Sequence, residues 1–374
     1  MKSARSLVLV PAGACLLIGL DAALILAGIP AGTWERAPDV HGPVMVLGFL
    51  GCVIALERAV ALRAAWGYAA PLLLGIGGLT LVTPAPPTLA WSVLVTGTLV
   101  FVLLYAALWR RNADAVVLAE GVGALAAVCA AVLWPRTGAG SVITWLIIFV
   151  VLTIAAERVE LAAIAMPRTA RRDLLLMTAA MLACGTLAML APTAGAVSLG
   201  LVLLGCVAWL AAHDIARRTI RTRGLPRFSA AGILAGYAWL IVAALMLVRF
   251  GAVGTAAGND PAAYDAVIHA VFLGFAMSMV FAHAPIIVPA VIGRPLPYHP
   301  ALWLPPAVLH LGLLLRLGVG DGLGVRLPWQ VGAALNVTAI LLFLGLTVWR
   351  VAGGGSHPPR TPRQVPAAER EVTP

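Results

Sequence analysis

Histidines inside apolar runs are the residues of this sequence best placed to do chemistry. His41 opens a run that begins His-Gly-Pro-Val-Met, and both His269 and His283 lie in the run 268–283, which is otherwise apolar apart from one serine. Ionisable side chains are costly in hydrocarbon, so they mark function when a membrane span contains them. Neutral imidazole is the commonest metal ligand and also binds haem iron. These residues therefore predict a membrane metalloprotein.

The composition of the 374-residue chain requires a membrane as its solvent. Hydrophobic residues make up 61% of it, charged residues 11%, and the mean hydropathy is +1.00. Runs of about 20 apolar residues, the length that spans a bilayer as a helix, predict an all-α polytopic membrane protein with about twelve transmembrane helices. The predicted segments are 7–28, 41–62, 66–84, 89–109, 114–134, 141–164, 174–191, 195–213, 228–250, 264–292, 301–317 and 330–351. They form one integral domain over 1–352, and the Pro-rich, polar segment 353–374 predicts a disordered cytoplasmic tail.

The lysines and arginines predict the orientation. If the N-terminus is cytoplasmic, most of them fall on the cytoplasmic side, including Arg63, Arg110, Arg111, Arg168, Arg171, Arg172, Arg217, Arg218, Arg221, Arg223, Arg227, Arg294 and Arg350. This bias is the positive-inside pattern of inner-membrane proteins. We therefore expect a multi-pass protein of the bacterial inner membrane with both termini in the cytoplasm. The net charge of +10 follows from topology, and no nucleic-acid partner is expected.

Depth along the helices groups the histidines. His41 and His269 both begin spans that enter from the outer side, so they can share one ligand. His283 follows His269 by fourteen residues, which places it about 21 Å deeper at about 1.5 Å per residue. It cannot serve the same metal. The alternative is that His41 and His269 are ordinary interfacial residues, with Asp39 and Pro43 marking a helix start.

A second group is predicted nearer the cytoplasm. His283 and His310 reach about the same level, with Glu57 and Glu157 at a similar depth and Glu120 slightly closer to the surface. Two imidazoles with carboxylates suit a non-haem metal site for copper or iron. Two alternatives stay open. The histidines could form interhelical hydrogen bonds, and each glutamate that precedes an arginine could belong to a proton relay or to a haem-propionate site.

The sequence resembles the NnrS family in these same regions. The shared features are H-G-x-x-M-x-x-G-F at 41–49, His269-Ala270 followed by Gly274 and Met279, and Gly-Arg-Pro-Leu at 293–296. That family contains membrane haem and copper proteins associated with bacterial nitric-oxide metabolism, and it is distantly similar to subunit I of haem-copper oxidases. The resemblance implies an oxidase-like bundle with a b-type haem between helices two and ten, whose axial ligands are His41 and His269. It also implies nitric oxide or a redox protein as partner.

The sequence also departs from that pattern, and these departures narrow the range of functions that the resemblance implies. No histidine lies between His41 and His213, whereas oxidases draw a copper site from helices in that interval. A complete oxygen-reducing oxidase is therefore not expected. Val44 stands where the family usually has an acidic residue. Whether the protein is an enzyme stays open, and the main alternative is a proton- or cation-coupled transporter without a cofactor, using Glu57, Glu120, Glu157 and the histidines.

Overall fold

The computed structural model describes residues 2–30, 32, 34–255 and 260–353, and these ranges are predominantly helical. The helices are α1 Lys2–Leu26, α2 Pro38–Leu62, α3 Ala65–Leu81, α4 Pro87–Arg111, α5 Ala115–Leu161, α6 Ala170–Leu190, α7 Pro192–His213, α8 Ala216–Thr219, α9 Leu225–Phe250, α10 Pro261–Ile292, α11 Pro300–Asp321 and α12 Arg326–Gly353. The segment predicted as a disordered tail lies outside the described residues from 354 onward.

The helices have the lengths and composition of membrane spans. Ten helical segments in the described ranges are long and apolar enough to cross a bilayer, and α3 is a shorter apolar helix. With 47 residues, α5 would be about 70 Å long, more than twice the hydrocarbon thickness of about 30 Å. It bends at Gly138, where φ is 76° and ψ is 174°, so its two arms correspond to the predicted spans 114–134 and 141–164. The prediction of a polytopic helical membrane protein is confirmed.

Local chemistry explains where several helices begin. The Asp114 carboxylate accepts a hydrogen bond from the backbone N–H of Val116 at 3.0 Å, which caps α5. Asp260 caps α10 in the same way, accepting from two backbone N–H groups. Proline opens α4 at Pro87 and α7 at Pro192, positions where its missing N–H costs nothing.

The second arm of α5 forms the centre of the bundle. Every residue from 142 to 156 is buried, as expected for a helix that is apolar on all sides. The surrounding helices expose apolar side chains such as Leu103, Leu190 and Val348, which suits contact with lipid. The central arm thus forms a buried wall beside α2 and α10, the helices that carry His41 and His269.

Small residues set the position of α2. A Cβ atom added to Gly78 on α3 would lie 2.8 Å from the Cα of Gly48 on α2, so only glycine permits this approach of the two backbones. Close packing through small residues is the usual means of holding membrane helices together. It fixes the helix that presents His41.

Candidate cofactor site

A cavity of about 410 Å³ lies between α1, α2, α5, α10, α11 and α12. His41 and His269 both line it, so the structure brings the two predicted haem ligands to one cavity. The rest of the lining is mostly apolar and aromatic, and includes Phe49, Trp134, Leu146, Phe272, Leu273 and Trp329. An apolar cavity with a few converging polar groups is the usual form of a cofactor site.

Both of these histidines are held through Nδ1. His41 Nδ1 lies 3.0 Å from the carbonyl oxygen of Gly19 on α1. His269 Nδ1 lies 2.9 Å from the carbonyl oxygen of Asp265 and 3.1 Å from its Oδ1. Because these partners can only accept, each Nδ1 must carry the proton. A neutral imidazole held through Nδ1–H has its lone pair on Nε2, the arrangement found in metal-ligating histidines.

Asp265 is in turn fixed by the neighbouring helices. Arg316 of α11 donates to both of its carboxylate oxygens, through Nη2 at 2.7 Å and Nε at 2.8 Å. Trp329 of α12 donates to Oδ2 at 3.3 Å. The guanidinium carbon also lies 5.0 Å from the centre of the Trp329 ring. This network holds His269, and within it the charges of Arg316 and Asp265 balance each other.

Three π-helical segments surround the cavity, at Val44–Gly51, Ala270–Ala276 and Leu314–Asp321. The first begins three residues after His41, the second directly after His269, and the third contains Arg316. π-helical segments are rare in proteins, and those that do occur are often found at functional sites. The sequence analysis did not predict them. Each π-helical segment contains glycine, but glycine is common in membrane helices, so its presence would not have identified these segments.

The residues of the predicted second metal site make different contacts. His283 Nδ1 lies 2.8 Å from the carbonyl oxygen of Met279, and its Nε2 lies 3.0 Å from Nη1 of Arg158. Trp239 Nε1 donates to Nδ1 of His310 at 3.1 Å. Arginine and indole N–H groups can only donate, so they occupy the lone pairs of both imidazoles. These contacts favour the interhelical hydrogen-bond interpretation.

Of the two glutamates predicted for that site, Glu57 lies near His283. Glu57 is within electrostatic range of Glu157 and His283. Among the described residues, however, no group of three or more His, Cys, Asp or Glu side chains is arranged to hold a metal ion. Glu57 instead contacts Arg58 Nη2 at 3.3 Å.

Arg158 and Asp214 form a buried ion pair that the sequence analysis missed. Nε and Nη2 of Arg158 lie 2.8 and 2.9 Å from the two Asp214 carboxylate oxygens, and Tyr237 donates its hydroxyl to Oδ2 at 2.7 Å. Burial works against ionisation of Asp214, yet these donors hold the pKa of its carboxyl below the ordinary value. The sequence does contain a sign of this pair: Arg158 lies inside an apolar run, and an arginine in a membrane span requires a partner.

Asp265 and Arg316 were also missed as site residues. Both could have been found from the sequence: Asp265 precedes His269 by four residues, so it lies one turn away on the same helix face, and Arg316 is an arginine inside a predicted span.

The fold and this cavity define a polytopic helical membrane protein with a histidine-lined apolar site. Residues 5–352 match the family described as "Domain of unknown function (DUF8744)". The chain belongs to that family. No curated protein and no solved structure matches it.

Proposed function

We propose that the protein is a membrane haem protein in which His41 and His269 would hold the haem iron. The observation that carries the proposal is the difference between the two sets of histidines. His41 and His269 face one cavity with Nδ1 held by acceptors, so Nε2 is free to bind iron. His283 and His310 have their lone pairs engaged by N–H donors.

The cavity residues fit a porphyrin in three respects. The lining is largely apolar, with the rings of Phe49, Phe272 and Trp329 available to pack against a flat macrocycle. Arg316 also lines the cavity, and its Nη1 takes no part in the two hydrogen bonds to Asp265, so this nitrogen could donate to a propionate. Within the described ranges the buried Oδ1 of Asn336, another lining residue, has no hydrogen-bond partner, so it can accept a hydrogen bond from a protonated propionate.

These contacts indicate what the residues around the cavity would do for a bound haem. Gly19 and Asp265 fix the imidazole tautomers, and the second arm of α5 excludes water from one side of the cavity. Haem would supply one-electron redox chemistry or, if one imidazole is displaced, a site for nitric oxide. The resemblance to the NnrS family supports this assignment, including b-type haem and a redox or nitric-oxide partner.

Absorption spectroscopy tests the proposal. Protein purified in detergent from haem-replete cells is expected to show a Soret band and, after reduction, the sharp bands of six-coordinate haem. Conversion to the pyridine complex identifies the haem type, and elemental analysis measures iron and copper. A colourless preparation without iron would overturn the proposal.

Variants separate ligation from general loss of structure. His41→Gly and His269→Gly are each expected to remove the six-coordinate spectrum, and added imidazole is expected to restore it, since the cavity left by the side chain can accept the free ligand. His299→Ala is the control, because His299 lies in the link between α10 and α11 and receives a hydrogen bond from the Ala301 N–H. If the His41 and His269 variants retain the wild-type spectrum, these residues are not the ligands.

A further inference from the structure

Glu120 is a buried carboxyl group whose surroundings do not satisfy it as an anion. It lies in the first arm of α5 with an exposed fraction of 0%. Within the described part of the chain, neither of its carboxylate oxygens has a hydrogen-bond partner. The nearest cation is Arg58, whose Nη2 lies 3.4 Å from Oε1. Buried polar groups in proteins are normally hydrogen-bonded because desolvation is costly otherwise.

The charges around Glu120 do not balance. The titratable groups that face it come from α2, from α4 and from the second arm of α5, and are Glu57, Arg58, Tyr105, Glu157 and Glu160. Four carboxyl groups, counting Glu120, therefore surround one arginine. The other arginine nearby, Arg158, is engaged by Asp214. The Tyr105 hydroxyl is buried beside Glu120 and has no partner among the described residues.

Arg58 connects this buried carboxyl group to water. Its guanidinium lies 3.3 Å from Glu57 and 3.5 Å from Glu160, besides the 3.4 Å contact with Glu120. The side chain of Glu57 is 30% exposed and that of Glu160 is 55% exposed. The three carboxyl groups that share Arg58 thus form a series from the surface to the interior.

We propose that Glu120 is a proton-binding site that exchanges protons with the aqueous phase through Glu57 and Glu160. When a proton adds to the Glu120 carboxylate, Arg58 pairs with the two outer carboxylates; when the proton leaves, Arg58 pairs with Glu120. A proton suits the site better than a metal cation, because the guanidinium at 3.4 Å would repel a second cation. The site is independent of haem, so the two proposals can fail separately.

Infrared difference spectroscopy of the full-length protein in detergent tests the proposal. A neutral carboxyl group gives a C=O stretching band that shifts in D2O and disappears when the pH is raised. Glu120→Gln is expected to remove one such band at neutral pH, whereas Glu35→Gln, at an exposed position before α2, is expected to leave all of them. An unchanged set of bands in Glu120→Gln would overturn the proposal. Replacing Na⁺ by choline is expected to have no effect, and a Na⁺-dependent band would also contradict it, since a metal cation would then be the ligand.

A labelling experiment on the wild-type chain covers the case in which the variant does not fold. An apolar carbodiimide reacts with protonated carboxyl groups and leaves a stable adduct that peptide mass spectrometry can locate. The adduct is expected on Glu120 at neutral pH and to decline as the pH rises, while the exposed Glu160 stays unmodified. Modification of Glu160 without modification of Glu120 would show that the buried group is ionised and would contradict the proposal.

Discussion

The carboxylate of Asp265 contacts the Nδ1 of His269 at 3.1 Å from one turn earlier on the same helix. The same carboxylate accepts two hydrogen bonds from Arg316, so the orientation of the imidazole depends on a residue of a different helix. A histidine held in this way presents Nε2 in one direction. This is the property required of a metal ligand.

Replacing Asp265 should weaken binding of the proposed haem without removing the two histidines that would hold it. We expect Asp265→Ala to lower haem retention by about 10- to 100-fold, the usual effect of losing a partner of a ligating histidine. Haem content after gel filtration and transfer to apomyoglobin would measure it. Asp39→Asn is the control, because Asp39 also lines the cavity but is exposed. Equal haem loss from both variants would argue against a specific role for Asp265.

The sequence was sufficient to predict a polytopic helical membrane protein, and apolar run length also predicted the division of α5 near Gly138. Depth along two helices predicted that His41 and His269 could share a ligand, and both line one cavity in the structure. The sequence could not predict the partners of His283 and His310. Those partners depend on the rotation of each helix about its axis and on which neighbour it faces, and an adjacent pair such as Glu157 and Arg158 can point to different neighbours. The π-helical segments likewise depend on a shift of backbone hydrogen bonds that composition does not record.

Asp214 should be a major contributor to stability. Asp214→Asn leaves the buried guanidinium of Arg158, 5% exposed, without its counter-charge, and breaking a buried pair costs about 3–5 kcal/mol. Thermal unfolding in detergent would measure the loss. Asp173→Asn is the matched control, because Asp173 pairs with Arg172 at the surface, and its unfolding temperature should be unchanged. A similar unfolding temperature for both variants would indicate that the Arg158 pair contributes nothing.

The ionisation of Asp214 predicts that the stability of the protein depends on pH. The folded pKa of Asp214 is below the ordinary value of about 3.9, so the unfolded chain binds the proton more readily. The stabilisation is fully present above the ordinary pKa and is lost as the pH falls toward the folded pKa. Between about pH 5 and pH 3, wild-type protein should lose more stability than Asp214→Asn. Parallel pH profiles for the two proteins would contradict this assignment.

The hydrogen bond between Trp239 and His310 predicts a structural role for His310. His310→Ala should lower the free energy of unfolding by about 0.6–2 kcal/mol, the range for interhelical hydrogen bonds in membranes, without changing bound copper or iron. Trp239→Phe should reproduce the effect, since it removes the N–H donor and keeps an aromatic ring. A fall in metal content in His310→Ala would instead support the second metal site predicted with His283, Glu57 and Glu157.

The arginine distribution predicts which end of the molecule faces the cytoplasm. In a cysteine-free background, Glu35→Cys should react with a membrane-impermeant thiol reagent in intact cells with a permeabilised outer layer. Arg223→Cys should react only after lysis, because the arginine-rich link before α9 is on the opposite side in this orientation. Both native side chains are exposed, so access to water is equal and only the side of the membrane differs. The reverse labelling pattern would invert the topology and place the cavity lined by His41 and His269 at the cytoplasmic end, with the proposed proton site at Glu120 facing the outside.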